Sequence, residues 1–268
     1  MTTSDPTVSK PTAADLSTAK LADEQPTAAV VLIGNELLSG RTQDTNLAYM
    51  ATRLASHGVR VSECRIIPDI ETVIVDTLTV LSQNNTYVFT TGGIGPTHDD
   101  ITADCVARTF NVPIDVRADA KSLLMEYWQT RNIEPNEDRL RMARIPEGAT
   151  LILNPVSAAP GFCLKNVYVM AGVPRIMQAM FDSILPQLQR GLVIDSVSVQ
   201  CDLGEGTIAG PLRALQQQYA NVDIGSYPGK RDGKFSVMLV ARGTNTDELA
   251  GVEEKLRELV ANAGGNVI

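Results

Sequence analysis

The sequence predicts a three-layer α/β protein, in which a mostly parallel β-sheet carries helices on both faces, followed by a small α+β domain. Two observations favour this class. Short apolar runs alternate with segments of helical spacing in the first two-thirds of the chain, an order typical of parallel sheets. Near Gly191 the pattern changes to a strand, a helix, two strands and a helix. We therefore predict a tail over residues 1–27, a main domain over residues 28–190 and a second domain over residues 191–268.

The first half of the main domain supplies the clearest elements. The run from Ala28 to Ile33 is continuously apolar and ends at a glycine, which predicts a strand buried on both faces. A helix with one apolar face follows and ends at Gly58. The next predicted elements are a strand at about residues 59–67, a helix with Asp69 as its N-cap, a strand at residues 87–90 and a helix that begins near Asp100.

The remaining elements are shorter or less regular. Residues 117–144 predict two helices broken around Pro135, and strands are expected near residues 151–153, 161–164 and 167–170, before a helix from Pro174 to about residue 188. In the second domain we predict strands at residues 196–201, 222–227 and 235–241, with helices at residues 209–219 and 249–260.

The composition excludes several classes of partner. The 268 residues carry a formal net charge of −8, which argues against nucleic acid because phosphate backbones require a basic face. No apolar stretch has the length of a membrane-spanning helix. Residues 1–27 lack the apolar segment of a secretory signal and have the composition of a disordered tail. We therefore expect a cytoplasmic protein without a nucleic-acid or membrane partner.

Three predicted loops bring carboxylates and glycines to one edge of the sheet. Ligands of open parallel sheets bind beyond the carboxyl ends of the strands. The loop after the first strand holds Glu36, and the loop after the second holds Asp69. The third loop contains a glycine-rich turn followed by two aspartates, and its key residues are Gly92, Gly93, Gly95, Asp99 and Asp100.

The glycine-rich turn predicts a phosphate site. Glycines allow positive φ, so several backbone N–H groups can face one oxyanion. Such an anion beside carboxylates requires a cation, and Mg²⁺ bound by Asp69 and Asp100 together with phosphate oxygens meets that requirement. Each part of this site has an alternative interpretation. The glycine-rich turn alone is also consistent with a tight connection between two elements, and Glu36 is also consistent with a helix-start or surface position. Asp69, Asp99 and Asp100 are also consistent with helix caps.

Several motifs then resemble one known family. They are Gly34-Asn35-Glu36-Leu37-Leu38-Ser39-Gly40, Asp44-Thr45-Asn46, Thr91-Gly92-Gly93-Ile94-Gly95-Pro96-Thr97 with Asp99-Asp100, Asn136-x-x-Arg139, Asn154 with Ala159-Pro160-Gly161-Phe162, and Gly172-Val173-Pro174. In this order they resemble the MoaB/Mog molybdopterin-binding fold, and within it the N-terminal domain of the competence/damage-inducible CinA proteins. The resemblance covers roughly residues 28–190.

The resemblance implies functions and further site residues. Asp100 and Asp69 match the two acidic residues of the family, which would be catalytic and would hold Mg²⁺ or another divalent cation. The ligand-binding residues that it implies, together with the loop residues above, are Glu36, Asn46, Gly92, Gly93, Gly95, Thr97, Arg139, Gly172 and Pro174. Arg139 is equally consistent with a solvated helix face.

The implied ligand is a small phosphate-bearing pterin or nucleotide, with molybdopterin as one candidate. Relatives of this type imply a divalent-metal-dependent nucleotide pyrophosphatase that acts on ADP-ribose or FAD. Two alternatives stay open: a molybdopterin adenylyltransferase-like role, and a binding module without turnover. A homo-oligomer, dimer or trimer, is also expected.

Overall fold

The computed structural model describes residues 25–268. Most of the predicted tail, residues 1–24, lies outside the described residues, and the first strand begins at Thr27. The described chain forms two compact units, and the boundary between them lies between Gly191 and Leu192. No helix within residues 25–268 is both long and apolar enough to cross a bilayer.

The first unit contains eight strands. In chain order they are β1 (Thr27–Ile33), β2 (Arg60–Ile67), β3 (Tyr87–Thr91), β4 (Ile114–Val116), β5 (Arg144–Pro146), β6 (Thr150–Ile152), β7 (Gly161–Leu164) and β8 (Val167–Met170). Six of them form one sheet in the order β2-β1-β3-β8-β7-β6. The first four strands of that order pair in parallel, whereas β7 pairs antiparallel with β8 and β6. The predicted mostly parallel sheet is therefore confirmed.

Helices cover both faces of this sheet. They are α1 (Asn35–Leu38), α2 (Asn46–Ser56), α3 (Glu71–Asn84), α4 (Thr102–Phe110), α5 (Ala118–Thr130), α6 (Glu137–Leu140) and α7 (Pro174–Ile184). The side chains of β1 alternate between two cores. Val31 packs with residues of α3, α4 and α5, and Val30 packs with residues of α2 and α7. Both faces of β1 are buried, as its continuous apolar run predicts.

The topology creates a crevice at the end of β1. The chain passes from β1 through α2 on one face to β2, and then through α3 on the other face to β3, which lies on the opposite side of β1. The strand order therefore reverses at β1. In open α/β sheets, ligands bind at such a point beyond the carboxyl ends of the strands. The loops that begin at Gly34 and Gly92 flank it.

One predicted boundary was wrong. Helix α3 begins at Glu71 with Ile70 as its N-cap, so Asp69 does not cap it. Helix α4 begins at Thr102 with Ile101 as its N-cap, close to the predicted start near Asp100, and Asp100 is not its cap. The antiparallel pair of β4 and β5 and the short helix α1 had no prediction.

The second unit has its own sheet and core. It contains β9 (Asp195–Cys201), α8 (Glu205–Gln218), β10 (Asp223–Arg231), β11 (Lys234–Gly243) and α9 (Thr246–Asn262). Its antiparallel sheet has the order β10-β11-β9. Leu239 of β11 packs with Ile208 of α8 and Val252 of α9. The predicted strand, helix, two strands and helix of a small α+β domain are confirmed in this order.

Candidate functional site

The crevice at the end of β1 holds a cleft of about 500 Å³ within the first unit. Nine of the predicted site residues line it: Glu36, Asp69, Gly92, Gly93, Gly95, Thr97, Asp100, Gly172 and Pro174. They come from the loops after β1, β2, β3 and β8. These loops therefore meet at the sheet edge, as the parallel arrangement requires.

The glycine loop, residues 92–95, has a backbone that other residues would strain. Gly92 and Gly93 have φ of 103° and 67°, in the left-handed region. A Cβ atom at Gly92 would lie 2.1 Å from the carbonyl oxygen of Ile33, and one at Gly93 would lie 2.1 Å from Thr102 Oγ1. Glycine thus lets the loop approach the end of β1 and the start of α4 closely.

The same loop has unused hydrogen-bond donors. The N–H of Gly92 donates to the carbonyl of Met170. The three following N–H groups, of Gly93, Ile94 and Gly95, donate no hydrogen bond within residues 25–268. All three residues line the cleft. Consecutive unpaired N–H groups in such a turn form an anion-binding concavity.

Asp69 and Asp100 each accept a backbone hydrogen bond through one carboxylate oxygen, Asp69 from the loop after β1 and Asp100 from its own loop. Asp69 Oδ2 accepts a hydrogen bond from the N–H of Asn35 at 2.9 Å. Asp100 Oδ2 accepts a bond from the N–H of Thr97 at 2.8 Å and shares the single proton of the Thr97 hydroxyl with Asp99 Oδ1. Within the described residues, Oδ1 of each aspartate has no hydrogen-bond partner. Each side chain therefore keeps a free anionic oxygen beside the cleft.

The electrostatics of the cleft are strongly negative. Glu36, Asp69, Asp99 and Asp100 line it, and none of the residues found to line it is Lys, Arg or His. The pKa of Asp99 lies below its usual range because the Thr97 hydroxyl donates to its carboxylate. Asp99 is therefore ionised at neutral pH.

The carboxylates do not make a complete metal site by themselves. Among residues 25–268 there is no group of three or more His, Cys, Asp or Glu side chains arranged to hold a metal ion. Mg²⁺ is usually bound by one or two carboxylates and substrate phosphates, with water completing its octahedral shell. The free Oδ1 atoms of Asp69 and Asp100 fit that mode, in which the phosphate supplies further ligands.

Asn46 and Arg139 lie away from the main cleft. Asn46 begins α2, is buried and lines a smaller adjoining cavity. Arg139 does not line the cleft, and its Nη1 donates to the carbonyl of Glu134 at 2.6 Å. This position agrees with the alternative of a solvated helix face, and an approach of Arg139 to a ligand phosphate stays a prediction. Arg141 is nearer, since its Nη2 lies 3.4 Å from the carbonyl oxygen of Asp100 behind the glycine loop.

The sequence analysis noted one loop of the cleft only as a family segment and assigned it no site residue. Asn154 and Ser157 line it, together with Met142. Asn154 is buried, and its Oδ1 accepts the N–H groups of Val156 and Ser157. An Asn followed by Ser three residues later is a local signal for such a turn. Nothing local in the sequence, however, places this turn opposite the glycine loop.

Comparisons with known proteins agree with this architecture. The family described as "Probable molybdopterin binding domain" matches residues 29–190, and "FAD synthase, middle domain" matches residues 194–264. A protein of Archaeoglobus fulgidus is 36% identical over 200 residues, which are 74% of this chain and 84% of that protein. A "Putative competence-damage inducible protein" of Halothermothrix orenii is 30% identical over 248 residues, 90% of this chain and 59% of that protein.

Among solved structures, the protein CinA with unknown function from Thermoplasma acidophilum is similar to this chain. It is 30% identical with a TM-score of 0.56, and the match covers 61% of this chain and 98% of that one.

Proposed function

Because this chain belongs to the MoaB/Mog-like family of molybdopterin-binding domains, in its CinA-type branch, we propose that its cleft binds a phosphate-bearing nucleotide or pterin and cleaves a pyrophosphate bond with Mg²⁺. The substrates that we propose are ADP-ribose-like or FAD-like nucleotides that contain a pyrophosphate bond. The observation that carries the proposal is the row of three unpaired N–H groups beside the free oxygens of Asp69 and Asp100.

The glycine loop accounts for phosphate binding. The N–H groups of Gly93, Ile94 and Gly95 offer three donors to the oxygens of one phosphate. They belong to a backbone that is held in place by the hydrogen bond from the Thr102 hydroxyl to the carbonyl of Gly92, at 3.0 Å. Donors that are already in position need no reorganisation when charge develops on the phosphate.

The carboxylates account for the metal. A diphosphate beside Glu36, Asp69, Asp99 and Asp100 would face four like charges without a cationic side chain among the lining residues. Asp69 and Asp100 would hold Mg²⁺ through their free oxygens, since hard oxygen ligands suit this ion. The bound ion would neutralise phosphate charge and polarise the phosphorus centre toward attack by water.

The decisive experiment compares turnover with binding. The purified chain is incubated with ADP-ribose or FAD, with Mg²⁺ or with EDTA, and release of AMP is followed by chromatography. We expect AMP only with Mg²⁺. If ligands bind but no AMP appears, the chain is a binding module. A parallel incubation contains ATP, a pterin and Mg²⁺. If AMP is transferred to the pterin there and none is released from ADP-ribose or FAD, the reaction is an adenylyl transfer and the pyrophosphatase proposal fails.

A further inference from the structure

A second cavity, of about 20 Å³, adjoins the glycine loop. Gly93, Ile94 and Gly95 line both this cavity and the main cleft. Arg141 and Arg144 line only the second cavity, which we call the rear cavity. Neither glycine has a side chain, so at these two positions only backbone separates a ligand in the cleft from the rear cavity.

Arg141 carries a charge without a counter-ion. The residue is half-buried, and its Nη2 donates to the carbonyl oxygen of Asp100 at 3.4 Å. Its Nε is buried and has no hydrogen-bond partner within residues 25–268. The guanidinium also forms no ion pair among these residues. Burial of a cation is costly unless an anion pairs with it, so an unpaired guanidinium at this place requires an explanation.

The carboxylates that share the rear cavity do not pair with Arg141. Asp100 and Asp104 both line this cavity. The Asp104 carboxylate pairs with Nη2 of Arg144, and Asp100 Oδ2 accepts the N–H of Thr97. A protein anion therefore neutralises Arg144, whereas Arg141 has none.

The main cleft has the complementary property. Its glycine loop presents three unpaired N–H groups to an anion, but four carboxylates and no cationic side chain are found among the residues that line the cleft. Opposite charges attract each other over several ångströms where the dielectric constant is low. A guanidinium behind a backbone loop can therefore stabilise an anion that it does not touch. Arginine suits this place because it stays protonated even when it is half-buried.

We propose that Arg141 is a positioning residue for the ligand phosphate. Its charge acts through the glycine loop on a phosphate bound at the N–H groups, and its hydrogen bond to Asp100 holds the loop from behind. This inference rests on the proposed function, because it assumes a phosphate at the glycine loop. It adds the cationic side chain that the cleft lacks, and it assigns a role to a residue that does not line the cleft.

The test separates the charge of Arg141 from its shape. Affinities for ADP and for inorganic pyrophosphate are measured by isothermal titration calorimetry with Mg²⁺, on the unmodified chain and on two variants. Arg141→Met keeps the length of the side chain but removes the charge, and it should weaken both ligands by about tenfold or more. Arg141→Lys keeps the charge and should stay within about threefold of the unmodified chain. Arg141→Gln repeats the removal of charge, so the comparison does not depend on whether Arg141→Met folds.

Arg144→Met is the matched control, because Arg144 lines the same cavity but is paired with Asp104. It should keep the affinity for both ligands. The two methionine variants should also differ in thermal unfolding without ligand. Arg144→Met leaves Asp104 without its partner and should lower the melting temperature. Arg141→Met removes an unpaired charge and should not lower it.

The outcomes separate the two proposals. If the unmodified chain binds ADP and every variant binds it equally well, the cleft holds phosphates without help from Arg141 and this inference is overturned. Equal losses in Arg141→Met and Arg141→Lys would assign Arg141 to loop geometry alone, and an equal loss in Arg144→Met would show that any nearby cation suffices; either result overturns the inference. If the unmodified chain binds neither ADP nor pyrophosphate, the proposed function itself fails.

Discussion

Replacing Asp100 by asparagine separates a metal-binding role from a structural one. Asp100 Oδ2 accepts the N–H of Thr97 and, shared with Asp99, the Thr97 hydroxyl, and the amide oxygen of asparagine can accept the same donors. Hydrogen bonds to a neutral acceptor are weaker than those to a charged one, so the loss is on the order of 1 kcal/mol. Removal of a like charge beside Asp99 offsets part of it. We therefore expect a melting temperature within about 4 °C of the unmodified chain.

The expected effect on turnover is much larger. Because the amide oxygen of the asparagine accepts the bond from the N–H of Thr97, an NH₂ group takes the position of the free Oδ1, and an NH₂ group cannot coordinate Mg²⁺. Loss of one group that stabilises the transition state costs on the order of 10²–10³ in kcat. Asp69→Asn should cost a similar factor. The double variant should lose little more than either single variant, because both residues act through one ion.

The assay measures initial rates of AMP release from ADP-ribose over a range of Mg²⁺ concentrations, and thermal unfolding without ligand. Asp138→Asn is the matched control, because Asp138 is exposed on α6 and does not line the cleft. It should leave both quantities unchanged. If Asp100→Asn retains turnover and its dependence on Mg²⁺, or if the effects of the two cleft aspartates multiply independently, the shared-metal reasoning is refuted.

Three further changes probe the site. Gly93→Ala should lower the free energy of unfolding by about 1–2 kcal/mol because its φ is positive, and by a further amount because the new Cβ would contact the Thr102 hydroxyl. Gly40→Ala is the control, since Gly40 has φ of 68° and nothing within 4 Å of the new Cβ, so only the cost of positive φ should appear in its urea titration. Thr97→Val should raise the pKa of Asp99, which NMR can follow. In the unmodified chain the lowered pKa of Asp99 stabilises the folded state at any pH above the ordinary carboxyl pKa. This stabilisation is lost as the pH falls through the lowered pKa of Asp99. Arg139→Met should leave the affinity for ADP-ribose unchanged in calorimetry, and a clear loss would restore this residue to the site.

The strands of the first unit were predictable because burial on both faces leaves a continuous apolar run. Residues 28–33 show this most clearly, and the structure buries every one of them. The glycine loop was predictable for a related reason, since Gly92 and Gly93 occupy conformations that other residues reach only with strain. Both signals are local. By contrast, β4 and β5 pair across about thirty residues, and three-residue strands carry no periodicity that predicts such a partner.

The errors at the site also have physical reasons. Asp69 looked like a helix cap because capping rules use only neighbouring residues, whereas its carboxylate holds Asn35, 34 positions away. Arg139 entered the predicted site through the family resemblance, since helical spacing alone favoured a solvated helix face. The helix ends at Leu140, and residues 141–143 form a 3₁₀ turn with a different angle per residue. The guanidinium that approaches the glycine loop is therefore the one two positions later.

The glycine loop and the carboxylates make opposite demands on a ligand. Unpaired N–H groups at Gly93, Ile94 and Gly95 favour an anion, while the free oxygens of Asp69 and Asp100 favour a cation. A phosphate alone would be repelled by the carboxylates, and a metal ion alone would leave the N–H groups of the glycine loop unpaired. A metal–phosphate complex should therefore bind the cleft better than either ion alone. Binding of Mg²⁺ and of the nucleotide should therefore be mutually cooperative, with the same factor in both directions.

Calorimetry can measure this coupling from both sides. We expect Mg²⁺ to tighten ADP binding by about 5- to 150-fold, the usual range for coupled sites, and ADP to tighten Mg²⁺ binding equally. The affinity of ADP for Mg²⁺ in solution must be subtracted, and Asp69→Asn should abolish the remainder. Independent binding of the two would mean that the amides and the carboxylates serve different ligands, and a single metal-assisted phosphate site would then be the wrong description of this cleft.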